Sequence, residues 1–457
     1  MSAVQTIDAA AAWLRGGWQR GCRLTIADGR IAAAGAAGPV DGQAVRWLLP
    51  GLPNLHSHAF QRAMAGRAEH RGDPADSFWT WREAMYRLAG RLDPESLHAI
   101  ACQLYVEMLE AGHTWVCEFH YLHHQPDGTP YDDPAGMSRA LVQAAADTGI
   151  GLTLLPVLYM TGGFDGRALA AGQRRFGHDL DDYLRLVATL RGLEHERLVV
   201  GMAMHSLRAV PPDALAGCLA SGLAAGRPLH IHIAEQQAEV EQCLQLRGAR
   251  PVQWLLANAP VDPHWCLVHA THMTREETAA VAASGATVAL CPSTEANLGD
   301  GLFPLVDYLA EGGAWGIGSD SQVGVSPVEE LRWLEYGQRL RHRRRNVVCS
   351  DERPSVGESL VSAALDGGRA CGTGVGTISA ATTGRAGSHA DLVALDAGEA
   401  GLIGHQEDTL LDAWLFASRR PAIDRVWTGG VEVVSGGRHH RREAVEAAFR
   451  VALANRG

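Results

Sequence analysis

Short apolar runs alternate with longer amphipathic stretches from residue 46 to residue 320, and the runs end in polar or charged residues. Eight runs can be counted: 46–58, 114–121, 151–159, 198–206, 228–235, 265–270, 287–292 and 315–320. Between them, apolar residues recur at helical spacing, as in 95–112, where Gly112 supplies a stop. Strands that are apolar throughout are typical of parallel sheets covered on both faces. The eightfold alternation therefore predicts an α/β protein with a TIM-type (β/α)8 barrel.

The two ends of the chain have a different pattern, with short alternating strands and Gly or Asp-Gly turns. Such segments occur in residues 1–45, as "GCRLTIADGRIAAAG", and in the C-terminal part, as "ADLVALD" and "DRVWTGGVEVVSGG". We expect the two ends to pair. The predicted organisation is a barrel over 46–379, flanked by a small β-sandwich domain built from residues 1–45 and 380–457.

Composition is that of an ordinary folded, soluble protein. Hydrophobic residues make up 46% of the 457 residues and charged residues 20%. The start of the chain has no secretory signal pattern, and no run of roughly 18 apolar residues occurs. The nine cysteines include no Cys-x-x-Cys pair, so we expect them to be reduced. The expected location is cytoplasmic, without a membrane partner.

Charge excludes further classes of function. A net charge of -11 argues against general binding of nucleic acid, which needs a basic face. One basic run, at 339–346, is typical of a solvated helix face or an interface. The chain contains no lysine, so all 40 Lys+Arg residues are arginines. Schiff-base catalysis, a P-loop lysine and a metal-bridging modified lysine are therefore excluded.

Histidines stand at the ends of the predicted strands, where barrels of this type carry their active sites. His56 and His58 are two residues apart, so in a strand both side chains point to the same face. Alone, this pair is weak evidence, because such pairs are more often the polar end of a strand than a metal site, and the second pair, His230 and His232, has the same ambiguity.

Convergence of several strand ends favours a metal site over these ordinary explanations. His232, His269 and Asp320 close three further strands. Zinc prefers imidazole nitrogen with an optional carboxylate, and a catalytic zinc keeps one position for water. Three histidines and one aspartate fit that requirement.

Glu235 follows His232 by three residues and could shuttle protons. It could equally be a carboxylate at the start of the next helix. His269 and Asp320 likewise have ordinary explanations as a buried histidine and a helix cap. The site would be absent only if all these explanations held together.

Four motifs at the strand ends resemble, in this order, the signatures of the amidohydrolase superfamily: "PGLPNLHSH", "HIHIAE", "LVHATH" and "GIGSDS". The resemblance covers nearly the whole chain and implies a metal-bearing (β/α)8 barrel beside a small β-domain from both termini. Members with two metals use a carboxylated lysine, which this chain lacks, so the chain resembles the mononuclear, deaminase-like branch. The resemblance implies one Zn²⁺ per subunit, with Fe or Mn as alternatives, and a homodimer.

Within that superfamily, four segments most resemble the formiminoglutamate deiminase branch. They are "NLHSHAFQRAMAGRAE", "HSLRAV", "HIHIAEQ" and "CPSTEANLGDG". This implies attack of a metal-activated water on N-formimino-L-glutamate, which yields N-formyl-L-glutamate and ammonia in histidine degradation. By position, the resemblance assigns metal binding to His56, His58, His232 and Asp320. It assigns catalysis to Glu235, His269 and Asp320, and substrate binding to Gln61, Arg82, Tyr121, His205 and Arg208.

Other interpretations remain open at this point. Arg82 and Arg208 could grip the substrate carboxylates, but either could be an ordinary surface arginine, and Tyr121 could be a core residue. A rival activity is deamination of an aromatic ring of the guanine, cytosine or S-adenosylhomocysteine type, which needs stacking walls more than arginines. A second rival is a non-catalytic barrel that has lost its metal.

Overall fold

The computed structural model describes residues 4–14, 16–37, 43–69 and 78–454. The N-terminal strands are β1 (Gln5–Leu14), β2 (Gly17–Ala27), β3 (Arg30–Ala36) and β4 (Gln43–Pro50). Next come β5 (Leu52–Ser57), β6 (His113–His120), β7 (Gly151–Leu158), β8 (Leu198–Val200), β9 (Met202–Ser206), β10 (Leu229–Ile233), β11 (Trp265–His269), β12 (Thr287–Leu290) and β13 (Ala314–Ile317). The C-terminal strands are β14 (Leu392–Leu395), β15 (Ile423–Thr428), β16 (Val431–Ser435) and β17 (Arg438–His439).

Helices cover the outside of the parallel sheet and fill the C-terminal part. They are α1 (Phe78–Ala89), α2 (Pro94–Ala111), α3 (Gly136–Thr148), α4 (Leu180–Arg191), α5 (Pro212–Ala220), α6 (Gln237–Arg247), α7 (Pro251–Asn258), α8 (Arg275–Ser284), α9 (Pro292–Leu298), α10 (Leu305–Ala310), α11 (Pro327–His342), α12 (Val356–Asp366), α13 (Glu407–Phe416) and α14 (Arg442–Ala454). Helix α2 begins after the capping residue Asp93 and ends at Gly112, whose φ of 101° suits glycine. None of the helices in the described ranges is long and apolar enough to cross a membrane.

The predicted barrel is confirmed. Parallel pairing runs in the order β5, β6, β7, β9, β10, β11, β12, β13, and β8 pairs with β7. The first and last strands meet where β5 ends: the amides of Ser319 and Asp320 both donate to the His56 carbonyl at 3.0 Å, and the His58 amide donates to the Asp320 carbonyl at 3.2 Å. Closing the barrel therefore brings the two ends of this region of sequence, residues 56–58 and 320, into contact.

The predicted single strand at 46–58 is divided at Gly51, and this part of the prediction is wrong. Residues before Gly51 form β4 in the small sheet, and residues after it form β5 in the barrel. The Gly51 amide donates to the Asp391 carbonyl at 2.8 Å, and a Cβ at position 51 would lie 2.0 Å from Thr114 Oγ1. Only glycine lets the chain pass between the two sheets at this point.

Both ends of the chain join in one sheet, in the order β17, β16, β15, β14, β4, β1, β2, β3. Strand β4 links the two ends, because it pairs with β1 in parallel and with β14 antiparallel. Ile7, Leu24, Leu392 and Trp427 belong to a hydrophobic core separate from that of the barrel. The domain limits at 45 and 380 stay a prediction.

Candidate active site

Four predicted metal ligands come together at the carboxyl ends of the barrel strands. His56 Nε2 lies 3.1 Å from His58 Nε2 and 3.0 Å from His232 Nε2. Asp320 Oδ1 lies 3.4 Å from His56 Nε2 and 3.2 Å from His58 Nε2. The four side chains are buried, and their donor atoms all lie within 4.8 Å of one another.

Backbone carbonyls orient two of these imidazole rings. His58 Nδ1 lies 2.8 Å from the Phe119 carbonyl oxygen, and His232 Nδ1 lies 3.0 Å from the His205 carbonyl oxygen. A carbonyl only accepts, so both Nδ1 atoms carry the proton, and in each neutral ring Nε2 presents its lone pair to the centre. Nitrogen lone pairs and a carboxylate repel one another at these distances unless a positive charge lies between them. The donor set therefore fits a divalent metal that prefers nitrogen and oxygen ligands.

His269 lies beside this group and is surrounded by carboxylates. Its Nε2 lies 3.8 Å from Glu235 Oε1 and 3.7 Å from Asp320 Oδ2, and its Nδ1 lies 3.3 Å from Glu295 Oε1. Burial alone would lower the pKa of His269, but the charge of Glu235, the hydrogen bond to Glu295 and the charge of Asp320 raise it to about 10. This imidazole therefore holds a proton at the centre of the site.

The pKa of Glu235 is raised as well, but the main cause differs from that at His269. Burial is the largest cause that raises its pKa; the charge of Asp320 adds to the effect, and His269 and Arg208 oppose it. A carboxyl group with a raised pKa exchanges protons at a pH where an exposed glutamate stays ionised. Glu235 and His269 thus form a carboxyl–imidazole pair beside the predicted metal ligands.

The backbone bends where these side chains leave the strands. His269 and Asp320 have φ values of 68° and 44°, and Ala234, next to Glu235, has a φ of 49°. Residues with side chains rarely adopt this left-handed conformation, which costs about 1 kcal/mol or more each. Such bends at three strand ends turn the functional side chains toward one centre.

The buried carboxylate of Glu118 holds the end of β5 through hydrogen bonds. Glu118 accepts hydrogen bonds from Ser57 Oγ at 2.7 Å and from the Ala59 amide at 2.6 Å. Burial raises the pKa of Glu118 to about 7, against these two hydrogen bonds. By holding Ser57, which lies between His56 and His58, Glu118 positions both histidines.

All five predicted substrate-binding residues border the cavity above the metal ligands. These residues are Gln61, Arg82, Tyr121, His205 and Arg208. Gln61 Nε2 donates to Tyr121 Oη at 2.9 Å, and the Arg82 guanidinium lies 5.5 Å from the centre of the Tyr86 ring. Polar, charged and aromatic side chains thus share the wall of one cavity.

The sequence analysis missed several residues that line the same cavity. They are Trp81, Met85, Tyr86, Tyr159, Phe176, Glu239 and Leu298. Tyr159 follows β7 as Tyr121 follows β6, so the rule of polar residues at strand ends could have found it. Glu239 lies in the first turn of α6, and its carboxylate accepts a hydrogen bond from the Glu235 amide at 3.1 Å. No signal in the sequence marks Phe176.

Charge is balanced within the cavity. Burial raises the pKa of Glu239 to about 7, although the nearby Arg208 lowers it. Burial would lower the pKa of Arg208, but nearby groups that can carry a negative charge, with Tyr159 and Glu239 first among them, together raise it. The cavity therefore keeps a firmly protonated guanidinium beside a carboxyl group that exchanges its proton near neutral pH.

The ambiguity between the two histidines of β10 is resolved by depth along the strand. His232 Nε2 reaches the metal ligands, whereas His230 Nε2 lies 3.0 Å from the Ala370 carbonyl. His230 precedes His232 by two residues and so lies about 7 Å deeper. Its pKa falls to about 4, mainly through burial, and its role is structural.

Comparisons with known proteins show what the chain as a whole is similar to. The amidohydrolase family profile matches residues 47–433. A formimidoylglutamate deiminase of Pseudomonas aeruginosa is 52% identical over 452 residues, which is 98% of each chain. An 8-oxoguanine deaminase of the same species is 28% identical over 70% of this chain and 72% of its own length. The crystal structure of an amidohydrolase from Brucella melitensis superposes with a TM-score of 0.92 at 47% identity and covers 99% of both chains.

Proposed function

This chain belongs to the amidohydrolase family, and on that premise we propose that it hydrolyses N-formimino-L-glutamate to N-formyl-L-glutamate and ammonia, a step of histidine catabolism. The observation that carries the proposal is one cavity that holds both a hydrolytic centre and two arginines, Arg82 and Arg208. Full-length similarity to a formimidoylglutamate deiminase supports it. The enzyme is a hydrolase that acts on the C–N bond of a linear amidine.

We propose that His56, His58, His232 and Asp320 hold one divalent metal, with zinc as the preferred ion for this donor set. A metal bound there would supply Lewis acidity and lower the pKa of a water toward neutrality. The chain itself supplies the orientation of the ligands, through the Phe119 and His205 carbonyls.

Proton transfer is assigned to Glu235, His269 and Asp320. A water loses a proton to the carboxylates around His269 as its oxygen bonds to the formimino carbon. Glu235 passes that proton to the imine nitrogen, which becomes the better leaving group. The hydroxyl proton of the tetrahedral intermediate then passes through the same carboxylates to this nitrogen. As the C–N bond breaks, ammonia leaves, the C=O bond forms and the formyl group stays on the glutamate nitrogen.

Substrate recognition is assigned to Gln61, Arg82, Tyr121, His205 and Arg208. The substrate carries two carboxylates, and a guanidinium binds a carboxylate through two parallel hydrogen bonds. Arg208 and Arg82 would each take one of them. Gln61 and Tyr121, which are hydrogen-bonded to each other, add polar groups to the wall of the same cavity.

Aromatic walls are the one feature that favours a second candidate, a ring deaminase. Tyr86, Tyr159 and Phe176 line the cavity and could stack on a purine. The two arginines favour the open-chain dianion instead, and the ring deaminase relative is much more distant.

Ammonia release tests the proposal. The metal-loaded enzyme is given N-formimino-L-glutamate, guanine, cytosine or S-adenosylhomocysteine, and both ammonia and the organic product are measured. We expect ammonia and N-formyl-L-glutamate in equal amounts from the first substrate. Formamide in place of ammonia would refute the assigned leaving group, and turnover of a ring without the amidine would refute the substrate.

Matched arginine variants test the recognition step. Arg208→Lys should raise the KM for N-formimino-L-glutamate by about 10- to 100-fold with a smaller change in kcat, because a lysine cannot form the paired hydrogen bonds. Arg167→Lys, at an exposed arginine that pairs with Asp165, is the control. Equal KM values in the two variants would remove Arg208 from the binding site.

We further propose a cytoplasmic homodimer. Nine free thiols suit a reducing compartment. Exposed apolar side chains on α11, namely Trp333, Tyr336 and Leu340, with Leu302 nearby, offer a surface for the second subunit. Light scattering of the purified chain tests this: a mass of one subunit at micromolar concentration would contradict the dimer.

A further inference from the structure

A second group of metal-ligating side chains lies on the outer helices of the barrel. His98 and Cys102 stand one turn apart on α2, and Asp147 lies in the last turn of α3. His98 Nε2 is 3.0 Å from Asp147 Oδ2 and 3.5 Å from Cys102 Sγ. All three donor atoms lie within 4.8 Å of one another.

The spacing of these atoms fits a tetrahedral cation. Zinc bonds of about 2.3 Å to sulfur and about 2.0 Å to nitrogen, at a tetrahedral angle, would place the two ligand atoms about 3.5 Å apart. The observed distance between Cys102 Sγ and His98 Nε2 has this value. The nitrogen–oxygen distance of 3.0 Å is only slightly shorter than such a cation requires.

The carboxylate of Asp147 is held in the orientation that a ligand needs. Its Oδ1 accepts a hydrogen bond from Gln143 Nε2 at 3.0 Å and lies 3.5 Å from Arg441 Nη1. Its Oδ2 faces His98. Outer partners that fix one oxygen and leave the other toward the shared centre are typical of metal-ligating carboxylates.

Access and donor chemistry also favour a site. The side chains of His98 and Asp147 are 33% and 27% exposed, so a cation and a water ligand could enter from solvent, while Cys102 is buried beneath them. One sulfur, one nitrogen and one oxygen form a softer donor set than the nitrogen and oxygen ligands of the barrel mouth. Arg441 precedes α14, so the same contact ties the C-terminal segment to α2 and α3.

We propose that His98, Cys102 and Asp147 form a second binding site, distinct from the catalytic centre, for a thiophilic divalent cation of the Zn²⁺ class. The cation would cross-link α2 and α3 on the outside of the barrel. The thiolate, not the thiol, binds a metal, so the entering cation displaces the thiol proton of Cys102 to solvent.

Cobalt substitution distinguishes this site from the catalytic one. A thiolate bound to Co²⁺ gives an intense sulfur-to-metal charge-transfer band in the near ultraviolet, and the ligands assigned to the catalytic centre include no sulfur. We expect full-length enzyme titrated with Co²⁺ to develop this band, and Zn²⁺ to abolish it. The band should decrease at least tenfold in Cys102→Ala. It should persist in Cys349→Ala, which removes a partly exposed cysteine elsewhere, and in Cys291→Ser, which removes the thiol nearest the catalytic centre.

Asp147→Asn provides a second test that keeps the thiol. We expect the band to form in this variant only at Co²⁺ concentrations at least tenfold higher. Circular dichroism spectra establish that each variant is folded. No band in the wild-type enzyme, an unchanged band in Cys102→Ala, or an unchanged Co²⁺ affinity in Asp147→Asn would overturn the proposal.

Discussion

Two clusters of buried histidines lie near the carboxyl ends of the barrel strands, and their surroundings are opposite. The central cluster consists of His56, His58, His232 and His269. The outer cluster consists of His120, His123, His124 and His178, which belong to β6, the segment after it and the segment before α4. Both clusters have ring centres as close as about 4.5 Å. Proximity of histidines therefore does not by itself identify a metal site.

What differs is the charge that the rings face. The central rings converge on Asp320, with Glu235 and Glu295 beside His269. The outer rings face each other and the buried Arg175, and neither ring nitrogen of His178 has a hydrogen-bond partner among the described residues. Burial, assisted by neighbouring positive charge, lowers the pKa values of His120 and His178 to about 3. Carboxylates that converge on several rings make the first cluster a candidate site. At the second cluster the charges of Asp179 on His178 and Asp182 on His124 only partly oppose the effect of burial, so these rings pack in neutral form.

The largest expected difference between the clusters is in metal binding. His232→Ala should lose the catalytic metal and more than about 1000-fold in kcat/KM, because a ligand and its contact with His56 both disappear. His178→Ala should keep both the metal and the activity. Metal analysis beside steady-state kinetics checks the pair, and equal metal content in the two variants would undo the distinction between the clusters.

Glu235→Gln should separate proton transfer from metal binding within the central cluster. We expect kcat to fall by about 100- to 10,000-fold with the metal retained, because an amide cannot carry the proton. Glu241→Gln, at an exposed glutamate of α6, the helix that follows Glu235, is the matched control. Near-normal turnover in Glu235→Gln would mean that another group moves the proton.

Removing the support behind His269 should have a smaller effect. Glu295→Gln keeps the size of the side chain but removes a charge that raises the pKa of His269. We therefore expect kcat/KM to fall by about 10- to 100-fold, and the part of the pH–rate profile that reports His269 to shift to lower pH. A lower rate with an unshifted profile would reduce Glu295 to a packing role.

Acid should destabilise the outer cluster by a modest amount. The pKa of His178 is about 3 in the folded chain and about 6.5 in an unfolded one, so the unfolded state binds the proton first as the pH falls. This contribution to stability is full above about pH 6.5 and decreases below it, by about 2 kcal/mol at pH 5. Urea unfolding at pH 8 and pH 5 measures the loss.

The matching variant for this test is His178→Phe, which cannot take up the proton. Its loss of unfolding free energy between pH 8 and pH 5 should be about 2 kcal/mol smaller than that of the wild-type chain. His264→Phe, at an exposed histidine, should behave like the wild type. Identical losses in all three proteins would show that His178 is not a buried neutral base.

Much of the fold was predictable because strands and helices follow from the local spacing of apolar residues. Buried parallel strands are apolar on both faces, so the barrel strands stand out as continuous runs, and α2 carries both its helical spacing and its glycine stop. The division at Gly51 was not predictable, since it depends on the side chain of Thr114, more than 60 positions later in the chain. A contact with a residue far along the chain leaves no pattern in the sequence around Gly51.

The candidate site divides in the same way. Residue types at the strand ends, together with the motifs that resemble the family, predicted the metal ligands, Glu235 and His269, and five residues of the cavity wall. Glu118 and Glu295 were missed, because a carboxylate gains its role from what faces it in space. Tyr159 was missed although it follows the end of β7 and the rule for strand ends applies to it. His230 and His232 show the limit clearly: their spacing is that of His56 and His58, yet only depth along the strand separates their roles.

The sequence by itself thus determined the barrel, the carboxyl-end location of the chemistry, the family and the exclusion of any lysine-dependent site. Tertiary structure alone decided which histidines share a centre, which carboxylates surround His269, and that His98, Cys102 and Asp147 meet on the outer helices. The physical reason is that periodicity and residue type are properties of neighbours along the chain. Charge–charge distances and pKa values are set only when the barrel closes and distant segments come within a few ångströms.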